Sequence, residues 1–331
     1  MLRVGTVGTS SIMRTIQEAI RLTDGMECRV VYSRTEEQGR AFAAEMGVPE
    51  HCTDYAAMLA RSDLDLIDIA SPNRFHVEQA LAALEHGKHV IVEKPAAVTR
   101  GDVQRLIDAA RANGVYFFEA ITTLFMPQYE ACRLLLPKLG RIEQAHITYA
   151  QYSSRYDAYL RGENPNIFNP AMATGSLMDL GIYCVYPAID LFGEPETVSA
   201  VSAFLESGAD AATAVSMLSK NTAITMTSCK TGQDHAGSQI IGERGSIKIG
   251  SISKLTDIEL VMNDGTSRII CGDTPKDELM GNEARAFYKL ITEPENNREK
   301  YRELRETALS VSRTMQRIRE SAGIKFDGGI A

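Results

Sequence analysis

The stretch "RVGTVGTSSIMRTI", residues 3–16, predicts how the first part of the chain folds. A short valine-rich run ends at Gly8, and a helical pattern with one apolar face follows it. Glycine permits the tight turn from strand to helix, and the unpaired N–H groups at the helix start attract phosphate. The dinucleotide-binding fingerprint of such a turn is G-x-G-x-x-G, but Ser10 and Met13 stand at its second and third glycines. By itself the stretch predicts either a nucleotide-binding turn or an unliganded one.

Strand and helix patterns alternate through the first 120 residues, with later strand-like runs at 27–33, 64–71, 88–94 and 115–120. Because short connections make each helix carry the chain back across the sheet, these strands are expected to pair in parallel. Ligands of such sheets bind beyond the carboxyl ends of the strands. That edge carries Gly8–Ser11, Ser33–Arg34, Ser71–Asn73 and Glu93–Pro95.

The pattern changes from about residue 140, where strand-like runs alternate apolar with small polar residues, as in a sheet with one solvated face. Asn263-Asp264-Gly265 is a hairpin signal between two of these runs. We therefore predict an α/β chain with an N-terminal doubly wound (Rossmann) parallel sheet and a C-terminal α+β domain with a large, mainly antiparallel open sheet. The expected domains are 1–122 and 123–331, with the C-terminal helices packing back.

Composition limits the classes of partner. The formal net charge is −8, from 35 basic and 43 acidic residues, which argues against binding nucleic acid or an anionic membrane. The six cysteines lack a C-x-x-C pair, and no histidine is spaced to join them in a zinc site. We expect reduced thiols, no metal, a cytoplasmic location and, since no apolar run approaches the ~18 residues of a span, no membrane insertion.

The end of the second strand bears on which nicotinamide cofactor is preferred. NAD-specific sheets usually place Asp or Glu there, on the ribose hydroxyls. Here the strand ends in Ser33-Arg34. Arginine can pair with a 2′-phosphate, which a carboxylate would repel. The sequence therefore favours NADP over NAD, although a surface arginine is the alternative.

Two motifs carry a resemblance to a known family. The first is "SPNRFHVEQALAALEHGKHVIVEKP" (71–95), and the second is "TGSLMDLGIY" (174–183). Both resemble motifs of the Gfo/Idh/MocA oxidoreductase family, named for glucose–fructose oxidoreductase and inositol dehydrogenase. "GERGSI" (242–247) resembles a further turn of that family, so the resemblance covers nearly the whole chain.

The resemblance implies a catalytic set of Lys94, Asp179 and Tyr183. In the family, the lysine before the proline points between the nicotinamide and the substrate. Asp179 and Tyr183 are four positions apart, so the two share one face of a helix. Tyr183 would exchange a proton with the substrate oxygen, and a nearby ammonium would favour its phenolate form. Asp179 would orient a partner or a substrate hydroxyl.

The resemblance also implies which residues bind the ligands. The predicted cofactor-binding residues are Gly8, Thr9, Ser10, Ser11, Ile12, Ser33, Arg34, Ser71, Pro72, Asn73, His76, Glu93 and Lys94. For His76 a structural role in the helix is the alternative. The segment 152–170 resembles the variable substrate-facing segment of the family, and its candidates for polyol contacts are Arg155, Tyr156 and Asn169.

The leading hypothesis is an NAD(P)-dependent oxidoreductase, preferring NADP, that moves hydride between nicotinamide and a sugar, cyclitol, diol or related small polyol or carbonyl compound. One alternative is NAD-assisted glycoside cleavage through transient oxidation and elimination. Another is a nucleotide-binding sensor without catalysis. The alternating strands also predict a homodimer or homotetramer formed through the C-terminal sheet.

Overall fold

The computed structural model describes residues 1–272 and 276–326. The chain forms two compact units. Unit one comprises Met1–Ala97, Gly101–Thr122 and Pro275–Glu306, and unit two comprises Val98–Arg100, Thr123–Thr274 and Thr307–Ala331. The last five residues of the predicted second domain lie outside the described residues. The division into domains 1–122 and 123–331 stays a prediction, because compact units and folding domains need not share their bounds.

Unit one contains a six-stranded sheet. Its strands are β1 (Leu2–Val7), β2 (Met26–Tyr32), β3 (Glu50–Cys52), β4 (Leu66–Ile69), β5 (His89–Glu93) and β6 (Phe117–Ala120). The spatial order is β3-β2-β1-β4-β5-β6, and every neighbouring pair is parallel. This is the strand order of a doubly wound dinucleotide-binding sheet. Every residue of β4 is buried, as expected for a parallel strand covered on both faces.

Unit two contains an eight-stranded sheet. Its strands are β7 (Ile142–Ala150), β8 (Thr197–Phe204), β9 (Asp210–Ser219), β10 (Thr222–Cys229), β11 (Ser238–Gly242), β12 (Gly245–Ile249), β13 (Ile258–Met262) and β14 (Ser267–Cys271). The order is β14-β13-β12-β11-β7-β10-β9-β8, and only the β7–β10 pair of these strands is parallel. Along most of β9 buried and exposed residues alternate, so that strand has one solvated face. The predicted fold class is confirmed.

The helices follow in chain order. They are α1 (Ser11–Arg21), α2 (Glu36–Met46), α3 (Tyr55–Leu59), α4 (His76–Glu85), α5 (Arg100–Ala112), α6 (Pro127–Leu135), α7 (Tyr156–Leu160), α8 (Ile182–Phe192), α9 (Lys276–Thr292) and α10 (Pro294–Ala322). A π-helical turn, Leu177–Gly181, runs directly into α8. In the described part of the chain, no helix is long and apolar enough to cross a bilayer.

Candidate active site

The turn after β1 has the geometry that a bound pyrophosphate needs. Gly8 has φ +115°, and a Cβ there would lie 3.0 Å from the backbone oxygen of Ala70. Ser10 caps α1, since its Oγ accepts a hydrogen bond from the Met13 N–H at 3.4 Å. The first turn of α1 contains no acidic residue that would repel phosphate. This turn therefore fits a dinucleotide, and the third fingerprint position is taken by Met13 because that side chain packs in the core.

The end of β2 presents an arginine rather than a carboxylate. Ser33 is buried, and its Oγ accepts the Thr35 N–H at 3.5 Å, whereas Arg34 is exposed. The first acidic residue after this strand end, Glu36, contacts His51 Nε2 at 2.8 Å and accepts from Arg40 at 3.0 Å. The hydrogen bond with His51, followed by that with Arg40, lowers the pKa of Glu36. Arg34 is thus the charged residue that this strand end offers to a ribose.

His76 connects the loops that follow β4 and β5. Its Nε2 lies 2.7 Å from the Ser71 backbone oxygen, and its Nδ1 lies 2.9 Å from that of Pro95. The residue is 1% exposed, and burial lowers the pKa of His76 although both carbonyls oppose that shift. Both ring nitrogens are therefore engaged inside the protein. The predicted part of His76 in cofactor binding would be indirect, through the positions of Ser71 and Pro95.

Lys94 lies where β5 ends, and the Lys94–Pro95 peptide bond is cis. The next amide is fixed by a side chain that the sequence analysis missed: Glu119 Oε1 accepts the Ala96 N–H at 2.7 Å. Glu119 belongs to β6, the neighbour of β5 in the sheet. The turn that carries Lys94 is therefore held by His76 from one side and by Glu119 from the adjacent strand.

A cluster of three carboxyl groups lies just before that turn, and no sequence pattern indicates it. Asp68, Glu93 and Glu283 line a small cavity of about 20 Å³ on the α1 and α9 side of the sheet. Asp68 and Glu283 are buried, and burial raises the pKa of each well above its ordinary value, with the charge of Glu93 adding to both shifts. Glu93, predicted to bind the cofactor, thus shares this cavity with two other acids.

In unit two, the second family motif (174–183) is hydrogen-bonded to strands of the sheet. The Leu177 N–H donates to Asp210 Oδ2 at 2.6 Å, and Ser176 Oγ donates to Ser228 Oγ at 3.0 Å. Gly175 has φ +143°, and a Cβ there would lie 1.9 Å from Asp210 Oδ1. Asp210 is on β9, so the sheet determines where the π-helical turn begins.

Asp179 and Tyr183 lie on that turn and on the first turn of α8. Asp179 Oδ2 forms an ion pair with Lys230 Nζ, a partner that the sequence analysis did not identify. Tyr183 is half-buried, and its ring packs edge-on against Tyr149 of β7 with centroids 5.6 Å apart. The predicted pair is therefore presented by one short helical segment, with a buried ammonium beside the carboxylate.

The predicted substrate residues lie in and around α7. Tyr156 packs against Tyr159 and Phe168, and the Asn169 Oδ1 accepts the Ala171 N–H at 3.0 Å. Tyr156 and Asn169 both line a surface groove of about 850 Å³ in unit two. Arg155 is exposed at the start of α7. Within residues 1–272 and 276–326, no cluster of His, Cys, Asp or Glu has the arrangement of a metal site.

Comparison with known proteins gives two family models. One, described as an oxidoreductase family with an NAD-binding Rossmann fold (GFO_IDH_MocA), matches residues 2–120. The other, the GFO/IDH/MocA C-terminal domain, matches residues 137–248. Together they cover well over half of the chain.

Individual relatives agree with these models. The chain is 36% identical over 326 residues, 98% of both chains, to scyllo-inositol 2-dehydrogenase (NADP(+)) IolU of Bacillus subtilis (strain 168). It is 30% identical over 213 residues, 63% of this chain and 62% of the other, to trans-1,2-dihydrobenzene-1,2-diol dehydrogenase of Bos taurus. The 3-ketoreductase KijD10 of Actinomadura kijaniata, solved with NADP, has a TM-score of 0.82 at 21% identity over 97% of each chain, which shows a common fold.

Proposed function

Because the chain belongs to the Gfo/Idh/MocA oxidoreductase family, we propose that it transfers hydride between NADP and a ring carbinol or carbonyl carbon of a cyclic polyol. Family membership makes it a nicotinamide-dependent oxidoreductase, and the NADP preference and the substrate are the proposed part. The observation that carries the proposal is the 36% identity to an NADP-dependent inositol dehydrogenase across 98% of both chains.

The substrate class follows from what two relatives share. scyllo-Inositol and trans-1,2-dihydrobenzene-1,2-diol, named for the relatives from Bacillus subtilis and Bos taurus, are both six-membered carbocycles with hydroxyls on adjacent carbons. We therefore place cyclitols and cyclic vicinal diols first, and sugars in their ring forms second. Arg155, Tyr156 and Asn169 are the proposed contacts to the hydroxyls that do not react.

The cofactor would be held by the turn Gly8–Ile12, with Ser33, Arg34, Ser71, Pro72 and Asn73 at neighbouring strand ends. The amides at the start of α1 would bind the pyrophosphate, and the Arg34 guanidinium would pair with the 2′-phosphate. When bound, the nicotinamide accepts or donates the hydride, which no side chain can do.

The protein's own contribution is positioning and proton transfer. Lys94 Nζ would donate a hydrogen bond to the reacting oxygen of the substrate. Tyr183 Oη would take the proton of the alcohol in oxidation and return it to the carbonyl in reduction. A free phenol has a pKa near 10, and a neighbouring ammonium would lower the pKa of Tyr183 toward the working range. That Lys94 and Tyr183 act on one substrate molecule is part of the proposal.

A substrate panel read by nicotinamide absorbance tests the function. We expect turnover with scyllo-inositol, other cyclitols or cyclic diols, and a loss on the order of 100-fold or more in kcat for Lys94→Met and Tyr183→Phe. Near-normal turnover of Lys94→Met would refute the assigned role. A glycoside consumed without net absorbance change would favour the glycoside-cleaving alternative, and nucleotide binding without any turnover would favour a sensor.

The cofactor preference has its own test. Replacing Arg34 by alanine should weaken the preference for NADP over NAD by about 10- to 100-fold, the worth of a charge-assisted contact. Arg40→Ala is a matched control, because Arg40 is an exposed arginine on α2 that pairs with Glu36. Equal preference in the wild type and Arg34→Ala would contradict the assignment.

We also propose that the solvated face of the unit-two sheet pairs two copies of the chain. Val201 on β8 is 70% exposed, and Leu218 on the neighbouring strand β9 is exposed as well. Light scattering should report a dimer or tetramer, and Val201→Glu should dissociate it; a monomeric wild type would refute the pairing. The cytoplasmic location stays a prediction from the scattered cysteines, all six of which are free.

A further inference from the structure

A buried lysine lies directly behind the proposed proton-transfer pair. Lys230 follows β10, and its backbone is fixed on both sides. Its N–H donates to the Ala211 oxygen at 2.9 Å, and its own oxygen accepts the Ser153 N–H at 2.9 Å. The side chain is only 6% exposed, and Nζ forms the ion pair with Asp179 Oδ2. The two adjacent segments thus determine where this ammonium lies.

An ion pair with a buried ammonium adds little to the free energy of unfolding. Removing an ammonium and a carboxylate from water costs about as much as their attraction returns, so apolar residues of similar size are often as stabilising. A pair whose ammonium is buried is better explained by what it holds in place. Here it holds a carboxylate in the helical segment that carries Tyr183, one turn further on.

We propose that Lys230 is a positioning residue for the reaction: it fixes the Asp179 carboxylate in one orientation and neutralises its charge beside Tyr183. An unneutralised carboxylate one turn away would oppose ionisation of the phenol. Loss of the ion pair would also remove a contact that orients the carboxylate. The inference rests on the proposed function, because it gives Lys230 a part in the proton transfer assigned to Tyr183.

Two other acids on neighbouring segments, Asp210 and Asp234, have partners of their own. Asp210, on β9, accepts hydrogen bonds from Leu177 and Thr213, and the charge of Lys230 lowers the pKa of Asp210 against the larger effect of burial. Asp234, in the loop after β10, accepts two backbone N–H groups, at 2.9 and 3.1 Å. Asp179 is the acid with which Lys230 makes a direct ion pair.

The test compares Lys230→Met with Lys230→Arg and with Lys248→Met. Lys248 is the matched control, because it lies in the same sheet and pairs with Glu259 on the surface. We expect Lys230→Met to lower kcat about 10- to 100-fold with little change in KM, as for a misplaced catalytic group. The pH profile should shift upward by about one unit, Lys230→Arg should restore part of kcat, and Lys248→Met should resemble the wild type.

A double-mutant cycle with Asp179→Asn separates positioning from folding. If Lys230 acts through Asp179, the Asp179→Asn/Lys230→Met variant should be no slower than Asp179→Asn, within about twofold. The double variant removes both charges of the ion pair. It can therefore still be compared with Asp179→Asn if Lys230→Met alone does not fold. Circular dichroism and cofactor binding, followed by fluorescence, should match the wild type in each variant that is compared.

The outcomes are distinguishable. A wild type that turns over a substrate while Lys230→Met keeps its kcat and pH profile would refute this inference alone. An equal loss from Lys230→Met in both backgrounds would also refute it. A wild type that turns over nothing in the panel would refute the proposed function and this inference together.

Discussion

Replacing Gly175 by alanine should destabilise the chain far more than its place in a short bend before the π-helical turn suggests. The added Cβ would lie 1.9 Å from Asp210 Oδ1 and 2.8 Å from its Cγ, so the carboxyl group must move. That carboxyl accepts the Leu177 N–H at 2.6 Å and so holds the start of the π-helical turn. Moving it would also shift the segment that carries Asp179 and Tyr183.

The magnitude follows from two costs. Alanine at φ +143° costs about 1–3 kcal/mol as a strained backbone conformation. Loss of a charge-assisted hydrogen bond from a buried carboxyl costs about 1.5–3 kcal/mol more. We therefore expect the free energy of unfolding to fall by about 3–5 kcal/mol, near the upper end for a point mutation.

Gly162→Ala is the matched control. Gly162 has φ +85°, but nothing lies within 4 Å of the added Cβ, so only the backbone cost of about 1 kcal/mol applies. Urea unfolding followed by circular dichroism, with midpoints and slopes compared, measures both variants. Equal destabilisation of Gly162→Ala and Gly175→Ala would refute the reasoning, because it would show that Asp210 does not resist the new methyl group.

Three further predictions concern the buried polar groups. Burial raises the pKa of Asp210 from its ordinary value of 3.8 to about 6 in the folded chain. The protonated carboxyl therefore stabilises the fold below about pH 4, and that contribution is lost as pH rises through about 6. Relative to Asp210→Asn, the wild type should lose about 3 kcal/mol of unfolding free energy across that range, measured by urea titration. Burial also raises the pKa of Glu283, so its contribution to stability should likewise fall as pH rises. Glu283→Gln should therefore have a higher Tm than the wild type at about pH 8, and this gain in Tm should shrink toward about pH 4. A gain in Tm that does not change with pH would contradict the raised pKa. His76→Leu should remove the imidazole that lies against the Ser71 and Pro95 carbonyls and misplace the Lys94 turn, lowering kcat about 10- to 100-fold; unchanged kinetics would show that the imidazole does not position the turn.

The sequence by itself determined the fold class and the family. Gly8 after a valine-rich run, continuous apolar strands near the start and alternating strands later are local patterns. Each pattern reflects which faces of one segment are buried and which are exposed. It can therefore be recognised without knowing the rest of the chain. The motifs around Lys94 and Tyr183 identified the family, which both family models confirm.

Local patterns were weaker where a segment is short or joins a distant neighbour. The three-residue strand β3 (Glu50–Cys52) has too few residues to show a period, and it was not predicted. The helix α9 belongs to unit one although it follows the whole second sheet in the sequence. Its place depends on which apolar surface it covers, and that surface is made by segments far away in the chain.

Only the tertiary structure decided how the side chains are partnered. Lys230 meets Asp179 across 51 positions, and Glu283 joins Asp68 from a helix more than 200 residues later. His76 is positioned by two carbonyls that no sequence pattern marks. Such pairs depend on strand order and register, which set distances in space without leaving a repeat in the sequence. Burial makes the loss of such a contact costly in free energy, because a polar group removed from water needs a hydrogen-bond partner inside the protein.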